Sequence, residues 1–392
     1  MGIFNNNFYG VDVAIENHTG VPLCYEINGI HSGMKGFKLL GTYDNLIETL
    51  VDKLIVASEG KPIVLMNRPL ADVRRKNIKS KLEKKGVETI GCSSMRLRDP
   101  KVVREDNHGI IFGTGLDQLI YHGHHTTITN PLFLECFSSA KILQQLLLTG
   151  TDITTNIPTT AYIGNNHEVL DKFLVEMEEK GVNKFLYKPN IGAQGNGVII
   201  LDKDKVKLIN NKIMKKSFRT IMTSINNYFL AAHDPSFFGE DAQKSVGLFQ
   251  EFRQSKPILS SETGQYHSAC GRIIHFNGSL DGYWRLSPVA VNDVTTSEED
   301  RHVVNLARKS LVEPMSDSDK EILFPFADHL IQTYEHELKP FAFKHPGDFA
   351  DYKSKIYNAL FEGKDIGDLT TFYNLHHRNI ISTKPQNLFG II

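Results

Sequence analysis

The chain has 392 residues, 41% of them hydrophobic and 23% charged, with 44 Lys and Arg against 45 Asp and Glu for a formal net charge of −1. That length and apolar content allow two or three buried cores and exclude a largely disordered chain, and the balanced charge leaves no electrostatic footprint for nucleic acid or an anionic membrane. The four cysteines, Cys24, Cys92, Cys136 and Cys270, lack any CxxC spacing, so neither a disulfide framework nor a zinc knuckle is indicated.

The opening MGIFNNNFYG carries no basic region followed by an apolar stretch, has no Ser or Thr at position six for a myristoylation signal, and no run in the chain approaches the ~18 apolar residues of a spanning helix. A cytoplasmic enzyme is the expectation. Residues 9 to 37, YGVDVAIENHTGVPLCYEINGIHSGMKGF, read as two short apolar strands split by the turn-forming ENHTG. Asp12 lies on the first strand, and Glu26 and Asn28 share a face of the second because successive side chains alternate. Converging hard oxygen ligands of this kind suit Mg²⁺, which takes one or two carboxylates together with substrate phosphates. Taken alone, an ExN triplet carries almost no information. His31 follows directly and reads most simply as a loop residue.

Residues 40 to 130 alternate between helical and strand patterns. NLIETLVDKLIVASEG and ADVRRKNIKSKLEKKG have helical spacing, while KPIVLMNR, VETIGC and GIIFGT read as strands, so a parallel sheet with crossover helices is expected. His122, His124 and His125 in YHGHHTT could cluster around a metal or a proton, but loop histidines are more often solvated. NPLFLECFSSAKILQQLLLTGTDITTNIPTTAYIG then gives a helix bearing Lys141, a loop and a Pro-Thr strand.

After an acidic amphipathic helix, residues 185 to 201, FLYKPNIGAQGNGVIIL, place Lys188 on a strand, a turn on Gly192, Gly195 and Gly197, and a returning strand. Such a turn lets backbone N–H groups approach a polyphosphate while the lysine supplies a point charge; the same glycine pattern also closes ordinary hairpins. The basic stretch KDKVKLINNKIMKKSFRTIMTSINNYF reads as a solvated helical face. SVGLFQEFRQSKPI is an apolar strand turning polar at Gln250 and Glu251. SACGRIIHFNGSLDGYWRLSP is a hairpin with Arg272 and Arg285 on its two strands, and SDSDKEILFPFADHLIQTYEHEL opens on a Ser/Asp cap and continues as an apolar-faced helix. No GxSxG elbow or HExxH helix is present.

Taken together, the metal-type strands and the lysine–glycine strand resemble the ATP-grasp superfamily, in which the usual order is lysine, glycine-rich loop, hinge, arginine, then a GxD strand and an ExN strand with a small-residue loop. Here the last of these comes first, so the chain resembles a circular permutant. The resemblance covers most of residues 9 to 337. It implies an α/β fold with α+β lobes: a two-lobed nucleotide clamp preceded by a Rossmann-like domain. The corresponding boundaries are 1–38 for the permuted metal strands of the second lobe, 39–130 for the Rossmann-like domain, 131–250 for the first lobe, 251–339 for the second lobe and 340–392 for a helical tail.

By the same resemblance, Asp12, Glu26 and Asn28 would hold Mg²⁺, and Lys141, Lys188, Gly192, Gly195 and Gly197 would take the phosphates of ATP. Gln250, Glu251 and Arg253 fall at the interlobe hinge, where backbone groups read the adenine edge. Arg272, Arg285 and the backbone of Ser32 and Gly33 would face an acylphosphate. The implied activity is a carboxylate–amine ligase acting on an amino acid or peptide-like substrate, with no nucleic-acid or membrane partner and with a homodimer allowed for. A kinase or phosphotransferase using the same nucleotide site, or a non-catalytic nucleotide-binding module, are the alternatives.

Overall fold

The computed structural model describes residues 6–29, 33–66, 72–92, 109–112, 141–163, 167–189, 198–204, 206, 247–304, 310–341, 346–362, 364, 366, 369 and 371–375. In chain order these form β1 (Phe8–Ile15), β2 (Pro22–Asn28), α1 (Met34–Leu39), α2 (Tyr43–Ala57), β3 (Ile63–Met66), α3 (Asp72–Lys84), β4 (Thr89–Cys92) and β5 (Ile110–Phe112). Next come α4 (Lys141–Leu148), β6 (Thr160–Ile163), α5 (His167–Glu179), β7 (Lys184–Pro189), β8 (Ile199–Asp202) and β9 (Gly247–Glu251). The remainder contributes β10 (Ile258–Leu259), β11 (Tyr266–His267), β12 (Ala269–Phe276), β13 (Ser279–Leu286), α6 (Glu298–His302), β14 (Leu311–Pro314), α7 (Asp317–Leu338) and α8 (Pro346–Phe361).

The largest sheet is antiparallel, with strand order β14-β13-β12-β1-β2. Every residue of β1 is buried, as its nearly continuous apolar run requires of a strand covered on both faces. The β1–β2 turn closes with Glu16 N–H donating to Val21 O at 2.8 Å, and Gly20 supplies the positive φ of 71°. β1 therefore pairs beside the β12–β13 hairpin, in the same sheet. On one face, Tyr9, Val11, Val13, Ile273 and Trp284 pack against α4, α7 and α8. On the other, Phe8, Ile274, Phe276 and Tyr283 pack against α1, α2 and the strands of a second sheet. Each such fully buried side chain contributes about 1.5–3 kcal/mol of transfer free energy, so β1 is held from both sides.

That second sheet has the order β4-β3-β5 and is parallel, in agreement with the helix–strand alternation of its sequence. A third, antiparallel sheet has the order β6-β9-β7-β8 and buries Phe185, Tyr187 and Phe249 against Leu170, Phe173 and Met177 of α5. β10 and β11 form a separate two-stranded ribbon. α7 starts at the expected cap: Ser316 Oγ accepts from Asp319 N–H at 3.1 Å. The described residues between 341 and 373 join the core that α7 packs into. Phe341, Tyr352, Ile356, Leu369, Phe372 and Tyr373 share the same core as Tyr9 and Tyr334, and Tyr352 OH donates to Leu369 O at 2.9 Å.

Among the described residues no helix is long and apolar enough to cross a membrane.

Candidate functional site

The polar half of one sheet face forms the site. Alternation along β1, β12 and β13 puts Asp12, Arg272 and Arg285 on the face that carries Phe8, Ile274 and Tyr283 farther along. Asp12 lies directly between Arg272 on β12 and Glu26 on β2. The β1–β2 register slips just after this pair, with Asp12 opposite Glu26 but Val13 opposite Cys24. The bulge leaves Tyr25 as the extra residue and re-aims it, so that Tyr25 OH donates to Arg253 O at 3.2 Å.

Three charged side chains close on one another here. Arg272 Nη2 donates to Asp12 Oδ2 at 3.0 Å, while Arg272 Nε and Arg285 Nη2 each stand 2.6 Å from Asp12 Oδ1 as ion pairs. Burial opposes ionisation of Asp12, but the two guanidiniums outweigh it and hold the carboxyl below the usual carboxylate range. Arg285 Nη2 also donates to Cys270 Sγ at 3.0 Å. Arg272 Nη1, Arg285 Nε and Asn28 Nδ2 are buried without a hydrogen-bond partner among the described residues.

Glycine chemistry brings the next layer close. Gly33 adopts φ 97°, and a Cβ there would stand 2.7 Å from Arg272 Cγ, so only glycine lets this backbone lie over the arginine. Gly33 O accepts from Tyr283 OH at 2.8 Å. From the β6–β9 sheet, Lys188 extends towards the same face. Burial, then the neighbouring charge of Lys141, pushes its pKa down to about 8 against the opposing pull of Glu26 and Asp12. Its Nζ sits 5.8 Å from the centre of the Tyr25 ring. Lys141 is placed by its own helix: Gln144, one turn on, accepts from Ile27 N–H at 3.0 Å and donates to Ile27 O at 2.6 Å, completing the outer edge of β2.

Asp12, Glu26, Asn28, Lys141, Lys188, Gly33, Arg272 and Arg285 thus lie together around this face. Asp12 is the counter-ion of the arginine pair, with both oxygens in contact with guanidinium nitrogens, where the sequence suggests a metal ligand. The Arg253 side chain gives Nε and Nη2 to Glu16 at 2.7 and 2.8 Å and Nη1 to Thr155 O at 2.6 Å, which ties the two sheets together at the expected hinge. The Gln250 side chain is fully buried and donates to Thr160 Oγ1 at 2.8 Å. Glu251 lies 3.5 Å from Arg253, and its backbone N–H donates to Thr159 O at 2.9 Å.

Ser32, Gly192, Gly195 and Gly197 lie outside the described residues, as do His31, His122, His124 and His125. The sequence reading does not single out Cys270, Gln144 or Tyr25. Cys270 is two residues before Arg272 and so shares its face, a signal the period-2 pattern carries; the bulge that moves Tyr25 has no local sequence mark.

For Mg²⁺ the donor set is mixed. Glu26 and Asn28 offer hard oxygens at i and i+2 on a half-buried strand edge, which fits a cation that keeps several waters or phosphate oxygens. Among the described residues there is no group of three His, Cys, Asp or Glu side chains that could hold a metal alone.

No protein-family model and no curated protein matches the chain. Among solved structures, the chain is similar to a protein described as a gamma-glutamylcysteine synthetase from Methylobacillus flagellatus KT, at 12% identity and TM-score 0.43, over 84% of this chain and 88% of that one. It is also similar to the D-cycloserine synthetase DcsG, at 12% identity and TM-score 0.37, over 70% and 82% of the two chains. A third is D-alanyl-alanine synthetase A from Vibrio cholerae O1 biovar eltor, at 11% identity and TM-score 0.32, over 70% and 81%. These are remote likenesses.

Proposed function

We propose that the chain is a circularly permuted ATP-grasp enzyme: an ATP- and Mg²⁺-dependent carboxylate–amine ligase that joins an amino acid or peptide-like acid to an amine through an acylphosphate. The observation that carries this reading is the convergence of Lys188, from one sheet, on the Glu26–Asp12–Arg272–Arg285 face of another. Lysines on one side and hard oxygens on the other suit a polyphosphate with its cation, and the arginine pair suits the anion that the transfer creates.

Lys188 and Lys141 would take phosphate charge. Glu26 and Asn28 would hold Mg²⁺, which when bound supplies charge neutralisation at the phosphates. A substrate carboxylate oxygen would attack the γ-phosphorus and release ADP, after which an amine would attack the acyl carbon and release inorganic phosphate. Arg272 and Arg285 would bear the acylphosphate, with the Gly33 backbone closing over Arg272. Because phosphoryl transfer asks little covalent work of protein groups, positioning and charge stabilisation set the rate, and loss of one such contact costs on the order of 10²–10³.

The experiment is a screen for ADP release over amino acids and small peptides with hydroxylamine present to trap an acylphosphate. Glu26→Gln and Asn28→Ala are expected to abolish ADP release with an unchanged circular dichroism spectrum. Unchanged release in both variants refutes the assignment. Hydroxamate formed with hydroxylamine present, but no amide formed when amines are supplied in its place, would mark a phosphotransferase.

A further inference from the structure

The thiol of Cys270 lies inside the arginine cluster, and its place there is determined by register. Cys270 and Arg285 are direct cross-strand partners on β12 and β13. The Arg285 Nη2 that donates to Cys270 Sγ at 3.0 Å is the same nitrogen that stands 2.6 Å from Asp12 Oδ1. The guanidinium is therefore held through one nitrogen by two partners, with its buried Nε left without a partner among the described residues. The charge balance is uneven, since one carboxylate stands against two guanidiniums and one positive charge remains. Arg272 Nη1 is likewise buried and without a partner among the described residues.

We infer that Cys270 is a positioning residue, whose sulfur fixes the Arg285 fork beside Asp12 without cancelling its charge, so that the arginine pair stays cationic towards an oxyanion of the substrate. This rests on the ligase reading above. The choice of side chain matters because the partner must accept a hydrogen bond and remain neutral. A carboxylate at this position would pair with Arg285 and remove the residual charge, and an alkyl group would leave Nη2 to Asp12 alone. A thiol is a weak neutral acceptor. Burial pushes its pKa up to about 11, against the neighbouring guanidiniums, so it stays protonated through the physiological range.

The test measures binding of inorganic phosphate to the full chain by titration, followed by thermal shift and by 31P line broadening, for the parent and for Cys270→Ala, Cys270→Ser and Arg285→Lys. Cys270→Ala is expected to bind phosphate about tenfold more weakly, the order lost when a charged group gives up one hydrogen-bond partner, and Cys270→Ser is expected to recover most of that loss. Cys270→Val fills the space without accepting a hydrogen bond, and it stands in for the alanine variant should a cavity unfold the protein. Parent-like binding in Cys270→Ala or Cys270→Val alongside a loss in Arg285→Lys overturns the role of Cys270 and leaves the arginine pair its place in the ligase reading. Equal loss in the serine and alanine variants also overturns it, by showing that volume and not hydrogen bonding is at stake. Parent-like binding in Arg285→Lys overturns both readings together.

Discussion

Asp12 and Glu335 are carboxylates on opposite sides of the β1–β12 pair, one borne by β1 and the other by α7, and their surroundings drive them in opposite directions. Asp12 meets two guanidiniums and is held ionised below the ordinary range. Glu335, on α7, meets neutral donors: Asn7 Nδ2 at 2.9 Å and Tyr9 OH at 3.0 Å, both to the same oxygen. Burial pushes its pKa up to about 7, and these donors and Lys339 recover only part of that shift. His275, cross-strand from Tyr9, is lowered to about 4 by burial, with Lys53 adding to the effect and Asp328 opposing it. One side of the sheet therefore keeps buried charge by pairing it, and the other suppresses charge in a core. Burial is common to both; the charge of the partner decides.

The comparison presupposes that β1 is an interior strand serving both faces, and removing it is the largest perturbation. Deletion of residues 1–37 takes away β1, β2 and most of α1, leaving β12 with unpaired ladder groups and both cores open. That exceeds the ~5–15 kcal/mol of a typical domain. The fragment 38–392 is expected to be insoluble or unable to bind ATP in a filter or calorimetric assay, and a soluble fragment that releases ADP would show the N-terminal strands to be an accessory.

The next effect isolates the charged side. Asp12→Asn keeps the shape but leaves two buried guanidiniums facing each other, and removing one member of a buried ionic cluster costs about 3–5 kcal/mol. Urea denaturation should show that loss, and added sulfate or phosphate should shrink it by replacing the missing negative charge. A variant as stable as the parent would mean that solvent, not Asp12, neutralises the arginines.

Much of this arrangement is legible in the chain, for identifiable reasons. The alternation in FYGVDVAI and ACGRIIHF assigns Asp12 and Arg272 to one face, and the Ser316 cap and apolar spacing of α7 are local signals that the structure keeps. What escapes is non-local. Nothing near Arg253 announces Glu16, which is 237 positions away in the chain, and nothing near Asp12 tells that its second arginine will arrive from β13. The 340–392 segment reads as a tail because helical spacing shows an apolar face but not what covers it; among its described residues, Phe341, Tyr352, Ile356 and Phe372 share a core with α7 and β1. Asp12 reads as a metal ligand for the same reason, since a carboxylate on a strand looks alike to a cation and to a guanidinium until its cross-strand neighbours are known.

The smallest effect sharpens the other side of the comparison. Glu335 has a folded pKa of about 7 against an ordinary value of 4.5, so the folded chain binds this proton more tightly than the unfolded one. The stability this contributes is fully present below pH 4.5, is lost as pH rises through about 7, and stays lost above it. At ~1.4 kcal/mol per unit, the loss between about pH 5 and 8 is roughly 2–3 kcal/mol. Glu335→Gln keeps the oxygen that accepts from Asn7 and Tyr9 and removes the titration. The variant is therefore expected to gain on the parent by roughly that amount between about pH 5 and 8, read from paired urea curves. His275 works in the opposite sense, because its depressed folded pKa makes stability fall as pH drops below 6.5, but this term is common to both proteins and cancels in their difference. Asp12 is silent over the same interval, since its depressed pKa changes stability only at lower pH. A variant-minus-parent difference that stays flat from about pH 5 to 8 would show that the neutral donors around Glu335 already hold it ionised, and the contrast with Asp12 would then rest on geometry alone.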